Sequence, residues 1–376
     1  MTEIRRPGMP SRLAFVDALK ALACQLIVLH HLAFYGPMSD HAYLLAPDLI
    51  RWFSQDARMA VQVFLVISGF LAARSLAPAG VLLATDPLDL VQKRYLKLVV
   101  PYLTAMLIGL ACAAIARELM VHDSIPGRPT LPQVVAHALL LQSILGYEGL
   151  SAGVWYVAID FQLFALLVGV LWLARTIARS STGIPTVSAL LVVTLALASL
   201  YHFNRDGAWD MWGVYFFAAY ALGIVTYWAT HRKQTPVWLL PMVGLVAIAL
   251  LLDYRPRLAV ALLVALAIGL ARIYGFLEDR PRSRLIAYLG QISYSVFLVH
   301  FPICLLINGL FARFAAPDPW VNLAGMCIAW LASIAVGALF FRYVESPAQR
   351  GLWRTHAQPG LSQADALSQA AAESAK

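Results

Sequence analysis

The chain has 376 residues, of which 61% are hydrophobic and 13% charged, with a mean hydropathy of +0.72 and a net charge of +8. A soluble domain carries about twice that share of charged residues, so this chain has too little polar surface to cover a water-soluble globule. A secreted disulfide scaffold and a disordered hub are thereby excluded, and the basic excess reads as membrane topology, with no nucleic-acid partner expected.

About 20 apolar residues, rising 1.5 Å each, cross a hydrocarbon core of about 30 Å. In chain order ten segments read as spans: Leu13–Tyr35, Ala60–Leu76, Leu98–Ala116, Val154–Leu173, Val187–Tyr201, Trp212–Thr230, Pro236–Leu252, Leu258–Phe276, Leu285–Phe311 and Trp320–Phe341. The run Val134–Leu145 is too short to cross and reads as an interfacial or re-entrant helix. The expected architecture is all-α, a polytopic membrane bundle of about ten transmembrane helices. Of the 28 basic residues, Arg51, Arg58, Arg117, Arg128, Arg205, Arg255, Arg257 and Arg313 fall in loops away from the N-terminus, and Lys20 lies within the first span; the remaining 19 lie on the N-terminal side. Lys and Arg gather in cytoplasmic loops, so both termini are expected in the cytoplasm. A full crossing by 134–145 would move the later loops to the other side and erase the bias.

No cleavable signal pattern precedes the first span. Cys24, Cys112, Cys304 and Cys327 lie in apolar stretches without Cys-x-x-Cys spacing and read as packing residues, so no metal is expected. No fixed-period repeat or pair of inverted halves, the mark of many transporters, is visible. From residue 348 to 376 the chain turns polar and reads as a disordered cytoplasmic tail following a membrane domain over 1–347.

Ionisable residues within spans are costly and mark candidate functional sites. In the first span, Asp17 and Lys20 share a helix face, and an interfacial ion pair is one reading of them. His31 lies eleven residues beyond Lys20, about 16 Å along the axis and about 20° past three full turns, hence on nearly the same stripe. His30 points elsewhere, and for either ring a structural hydrogen bond is the alternative role. Ser68-Gly69 in the second span permits close helix packing. The next loop carries Arg94 and Lys97 one turn apart, placed to grip phosphate oxygens, although basic residues commonly flank spans. Asp160 and Gln162 lie in the fourth span, the former as an ion-pair partner or an acid/base aid. In the ninth span, Pro302 frees a carbonyl that His300 could satisfy. Arg342 to Pro347 reads as an interfacial anchor and stop.

Taken in order, these segments resemble the acyltransferase-3 family of bacterial membrane acyltransferases. Asp17, Lys20 and His31 are similar to its Asp-x-x-Arg…His signature; Phe64–Leu71 to Phe-Phe-x-x-Ser-Gly-Phe; Arg94–Pro101 to its basic element before Pro; Trp155–Phe164 to Trp-Ser-Leu-x-x-Glu-x-Gln-Phe-Tyr; Ile292–Pro302 to Ile-Ser-Tyr-x-x-Tyr-Leu-x-His-x-Pro; and Glu345–Pro347 to its closing Glu-x-Pro. The likeness extends from Arg12 to Pro347. Three departures mark a subfamily. Lys20 and Lys97 stand for Arg, keeping charge but losing the bidentate fork; Asp160 stands for Glu; and Tyr156 stands for Ser, which sets that hydroxyl aside.

The resemblance implies transfer of an acyl group, usually acetyl from acetyl-CoA, to a hydroxyl of an envelope carbohydrate or lipid-linked glycan at the bacterial inner membrane. Arg94 and Lys97, with Lys20, Arg74 and Arg12, would hold the donor's phosphates. His31 would serve as general base or as an acetyl-histidine relay, with Asp160 assisting. Asp17, His30, Ser68, Gln162, Tyr294 and His300 would support the site, Ser68 and Tyr294 as candidate donors to the thioester oxygen. A proton-coupled transporter or flippase of a glycan or small solute is the alternative.

Overall fold

The computed structural model describes residues 12–84, 86–230 and 236–350. Nearly all of the expected tail, residues 351–376, lies outside them. Among the described residues the chain is helical throughout: α1 (Ala14–Phe34), α2 (Met38–Ala42), α3 (Pro47–Gln55), α4 (Val61–Leu76), α5 (Pro87–Leu119), α6 (Leu131–Ala138), α7 (Val154–Ile177), α8 (Ile184–Tyr201), α9 (Gly213–Thr230), α10 (Leu240–Leu252), α11 (Pro256–Ile273), α12 (Arg284–Phe314) and α13 (Pro319–Phe340).

Nine helical segments among these residues are long and apolar enough to cross a membrane. The seventh expected span, Pro236–Leu252, is a 3-10 turn, Pro236–Leu239, leading into the 13 residues of α10, which rise about 20 Å. That short helix still runs between the same two ends as its neighbours. Leu239 packs beside Thr226 and Gly269, whereas Asp253, just past the other end, meets Arg255 at 3.4 Å and Arg205 at 3.6 Å. The described chain therefore starts and finishes at one end of the bundle, with Arg12 donating to the Ala287 carbonyl near the start of α12.

Helix caps account for the largest departure from the expected boundaries. The Asp86 carboxylate accepts from the Leu88 and Asp89 amides, and Pro87 occupies the first helical position, a strong N-terminal signal. Helix α5 thus begins eleven residues before the apolar span and runs for 33 residues, about 50 Å. Arg94 and Lys97, expected in a loop, are carried on its inner turns. At α6, Thr130 and Gln133 form a reciprocal capping box around an eight-residue helix, too short to cross, as expected for that region.

Small residues set the helix spacing around the site. Gly290 of α12 lies directly on the backbone of Asp17 in α1, and Gly69 of α4 and Gly223 of α9 lie on the backbones of Tyr220 and Val66. At the end of α13 one π turn, Phe341–Glu345, turns Glu345 inward, where its carboxylate accepts from Ser295 Oγ at 2.5 Å and from Gln349 Nε2 at 2.9 Å. Such wide turns recur at functional sites.

Candidate active site

Two cavities occupy the interior between α1, α4, α5, α7 and α12. The outer one, about 760 Å³, is lined by His30, His31, Gln62, Arg58 and Trp155, with Asp123, Glu148, Asp210 and Arg257 around it. The inner one, about 260 Å³, is lined by Lys20, Ser68, Arg94, Lys97, Asp160, Tyr294 and Glu345. As the stripe on α1 predicted, one side of the helix presents Lys20 to the inner cavity and His31 to the outer one, but His30, expected to point elsewhere, lines the outer cavity too.

His31 is buried and faces a partner distant in sequence. Its Nδ1 lies 2.5 Å from Nε2 of His300. The two rings are within 2° of parallel with centroids 4.8 Å apart, which, at that nitrogen separation, places them edge to edge in one plane. His300 Nδ1 faces the carbonyls of Phe297 at 2.7 Å and Val296 at 3.2 Å. A carbonyl only accepts, so His300 Nδ1 carries the proton and its Nε2 carries a lone pair. His31 Nδ1 must then donate, which leaves the lone pair of His31 on Nε2. His300 was expected to satisfy the carbonyl that Pro302 frees, which is that of Leu298; it bonds the Phe297 and Val296 carbonyls instead and selects the tautomer of His31. His30 Nδ1 bonds the Phe53 carbonyl at 3.1 Å, and its ring lies 4.9 Å from that of His31.

Most of the predicted cations are already paired. Asp17 holds both Arg12, at 2.6 Å, and Lys20, at 2.7 Å. Asp160, predicted near the chemistry of His31, lies in the inner cavity paired with Arg94 at 2.5 Å, and Arg94 also covers the Phe164 ring at 5.2 Å. That pair joins Nη2 to Oδ2, and Asp160 Oδ1 and Arg94 Nε have no hydrogen-bond partner among the described residues. Lys97 lines the same cavity with no carboxylate within 4.0 Å among the described residues, Glu345 being its neighbour across the space. Arg12 and Arg74 do not line it; Arg74 stands near Arg272 at the end of α4.

Other predicted residues serve the scaffold. Gln162 accepts from the Gly213 amide at 2.7 Å and donates to the Met211 carbonyl at 3.3 Å, tying α7 to the start of α9 away from both cavities. The Tyr294 hydroxyl donates to the Leu98 carbonyl at 3.1 Å, so its proton is committed. Ser68 is a hydrogen-bonding neighbour of Tyr156, and the Tyr156 side chain, set aside from sequence, lies between the cavities.

Arg58, Gln62, Phe297 and the inward role of Glu345 were missed. Glu345 had a signal in the closing Glu-x-Pro element; Gln62, at the start of α4, and Arg58, in the 3-10 turn Ala57–Ala60 before it, had none. Outside the spans, His137 on α6 is fully buried: its Nδ1 donates to the Gln133 carbonyl at 2.8 Å, and its Nε2 accepts from the Leu150 amide at 3.1 Å. Burial pushes its pKa down. No cluster of three or more metal-ligating side chains occurs among the described residues.

Residues 13–342 match the family described as an acyltransferase domain. No curated protein matches the chain.

Proposed function

The chain belongs to the acyltransferase-3 family, and on that premise we propose that this membrane acyltransferase moves an acetyl group from acetyl-CoA to a hydroxyl of a cell-envelope carbohydrate at the bacterial inner membrane. The observation that carries the reading is the His31–His300 pair. It leaves a lone pair on a buried imidazole at the outer cavity, directly above an inner cavity bearing cations.

With both termini cytoplasmic, as the basic bias indicates, the inner cavity opens toward the compartment that holds acyl-CoA. Lys97, which makes no ion pair among the described residues, meets the donor's phosphates. The paired Arg94, Lys20 and Arg12 keep Asp160 and Asp17 neutralised while adding to the positive field. The thioester then reaches the level of His31 from below, and the alcohol enters the outer cavity from above, where Trp155 and the surrounding carboxylates suit a hydroxyl-rich acceptor.

His31 Nε2 takes the hydroxyl proton as the alcohol oxygen bonds to the acyl carbon. The carbon–sulfur bond breaks and the proton passes to the departing thiolate. His300 keeps the imidazole in the required tautomer and accepts from the Nδ1–H side as charge develops on His31, the orienting role a third group plays beside a catalytic base. A direct transfer of this kind suits a base whose second nitrogen is already held.

The test compares His31→Ala with His30→Ala in proteoliposomes, membrane insertion confirmed, using radiolabelled acetyl-CoA and a lipid-linked glycan. Labelling by wild type and His30→Ala with loss in His31→Ala supports the assignment. Glycan movement without labelling would instead establish a flippase.

A further inference from the structure

The two cavities run end to end along the same helices. On α1 the lining passes from Ile27 to Lys20, on α4 from Gln62 to Phe64, on α7 from Trp155 to Tyr156, and on α12 from Phe301 to Phe297. Every change of cavity falls at one level. There the rings of Phe64, Tyr156 and Phe297 meet, with centroids 5.5 Å apart for Tyr156–Phe297, 6.1 Å for Phe64–Tyr156 and 6.4 Å for Phe64–Phe297. Phe297 lines both spaces.

A continuous polar passage through a bilayer would conduct protons and ions, so an apolar layer at this level is a physical necessity. The thioester must nevertheless come to His31, whose partner His300 sits one turn above Phe297 on α12 with the two rings 6.0 Å apart. We propose that Phe297 is a movable partition between the cavities, and that the room its ring gives up determines which acyl groups reach His31. The selectivity half of this proposal rests on the acyl-transfer reading above; the partition half does not.

The ring is held in a way that permits this role. Gly153, in the left-handed region at φ 81°, borders the tip of Phe297, where even a Cβ would come within 2.9 Å of Cζ. Below lie Phe64 and Tyr156; above, the ring can swing into the outer cavity of about 760 Å³. A two-carbon acyl group asks the ring to shift little. A longer chain must occupy the place of the ring itself, at the cost of the aromatic contacts that hold it.

Removing the ring admits water as well as longer chains. His31 Nε2 then takes a proton from water, the water oxygen bonds to the acyl carbon, the carbon–sulfur bond breaks and the thiolate is protonated. The products are the free acid and the thiol, and no acceptor is consumed.

The experiment uses the full-length protein in proteoliposomes, with Phe297→Ala, Phe297→Leu and Phe64→Ala, each checked for a monodisperse profile and a melting temperature near wild type. A proton leak is read from an entrapped pH dye without substrate. Acetyl-, butyryl- and hexanoyl-CoA are then compared for thiol release with and without glycan acceptor. Phe297→Ala is expected to leak protons, to raise the butyryl-to-acetyl rate ratio by about tenfold, the scale of one or two methylenes in a pocket, and to raise hydrolysis relative to transfer; the other two variants show the same changes in smaller measure. A tight membrane and an unchanged chain-length ratio in folded variants overturn the proposal. If wild type cleaves no acyl-CoA while Phe297→Ala leaks, the transfer reading fails and the partition stands.

Discussion

The hydrogen bond between His31 and His300 makes a quantitative demand on catalysis. Replacing His300 with Ala removes the acceptor facing His31 Nδ1 at 2.5 Å and leaves a buried donor unpaired, at a cost of about 1–3 kcal/mol. If the ring pays that cost and stays in place, the rate falls about 5- to 150-fold at 1.36 kcal/mol per factor of ten. If it instead moves its proton to Nε2, the base is lost and the fall approaches about 10⁴-fold, as for the wrong tautomer in a Ser-His-Asp triad. The expected drop in kcat for His300→Ala therefore lies between about 5-fold and about 10⁴-fold, with KM for acetyl-CoA near wild type because the proposed reading puts the donor phosphates in the other cavity. Two amide variants separate this account from general damage. His300→Gln carries an oxygen to where Nε2 stood and is expected to recover to within about tenfold of wild type on the scale of one buried hydrogen bond. His300→Asn keeps a donor for the Phe297 carbonyl but cannot reach His31, and should resemble Ala. Steady-state release of CoA thiol by the purified, reconstituted variants is the assay. Equal rates for Asn and Gln, or a wild-type kcat for Ala, would refute the tautomer argument.

Four further outcomes follow from the same geometry. Lys97→Gln, which removes a cavity cation with no carboxylate within 4.0 Å among the described residues, should weaken acetyl-CoA binding about tenfold in calorimetry, the scale of one lost charge-assisted hydrogen bond, with melting temperature unchanged. Arg94→Gln strands the buried Asp160 carboxylate and should cost about 3–5 kcal/mol of stability, seen as a lower melting temperature that Arg94→Gln/Asp160→Asn restores. Gln162→Ala loses both ties to α9 and should lower the melting temperature while leaving kcat near wild type, since neither cavity contains it. His137 is bonded in its neutral form with its pKa pushed below the usual imidazole value of about 6.5, so its stabilisation is present above pH 6.5 and lost as pH falls through the lower folded value; exchange of the Leu150 amide, corrected for intrinsic rate, should accelerate over that interval, and His137→Gln should flatten the dependence.

The spans were legible because each had to bury its backbone in lipid, and apolar length reports that requirement directly. The exception is instructive: Pro236–Leu252 had the composition of a span, yet its first turn is 3-10 and only 13 residues form α10. Hydropathy averages over such a change of helix type. The start of α5 was missed for the opposite reason. Asp86 and Pro87 cap a helix whose first turns are polar, and a reading by apolar runs passes over capping chemistry. The sequence named candidate cations but not their pairing. Arg12, Lys20 and Arg94 are consumed by Asp17 and Asp160, and the Arg94–Asp160 pair joins residues 66 positions apart on different helices.

Lys20 and His31 show why one part of the site could be read from a single chain and another could not. A helix that lines two successive cavities must present the same face to both, and a spacing of eleven residues brings the face round to within about 20° after three turns. That relation is local and survives in the sequence. The hydrogen-bond partner of His31, His300, is 269 residues away, and no periodicity connects them; Gly290 lets α12 lie on the backbone of α1 beside Asp17, in the same helix pair. That contact lies nearly four turns of α1 below His31, and on the proposed reading it sets the spacing that the chemistry needs. Adding a side chain at Gly290 should separate the two imidazoles while leaving both in their own helices, so Gly290→Val ought to reproduce the kcat loss of His300→Ala with both histidines intact. Retention of wild-type kcat in a folded Gly290→Val protein would mean that helix contact and catalytic pair are independent.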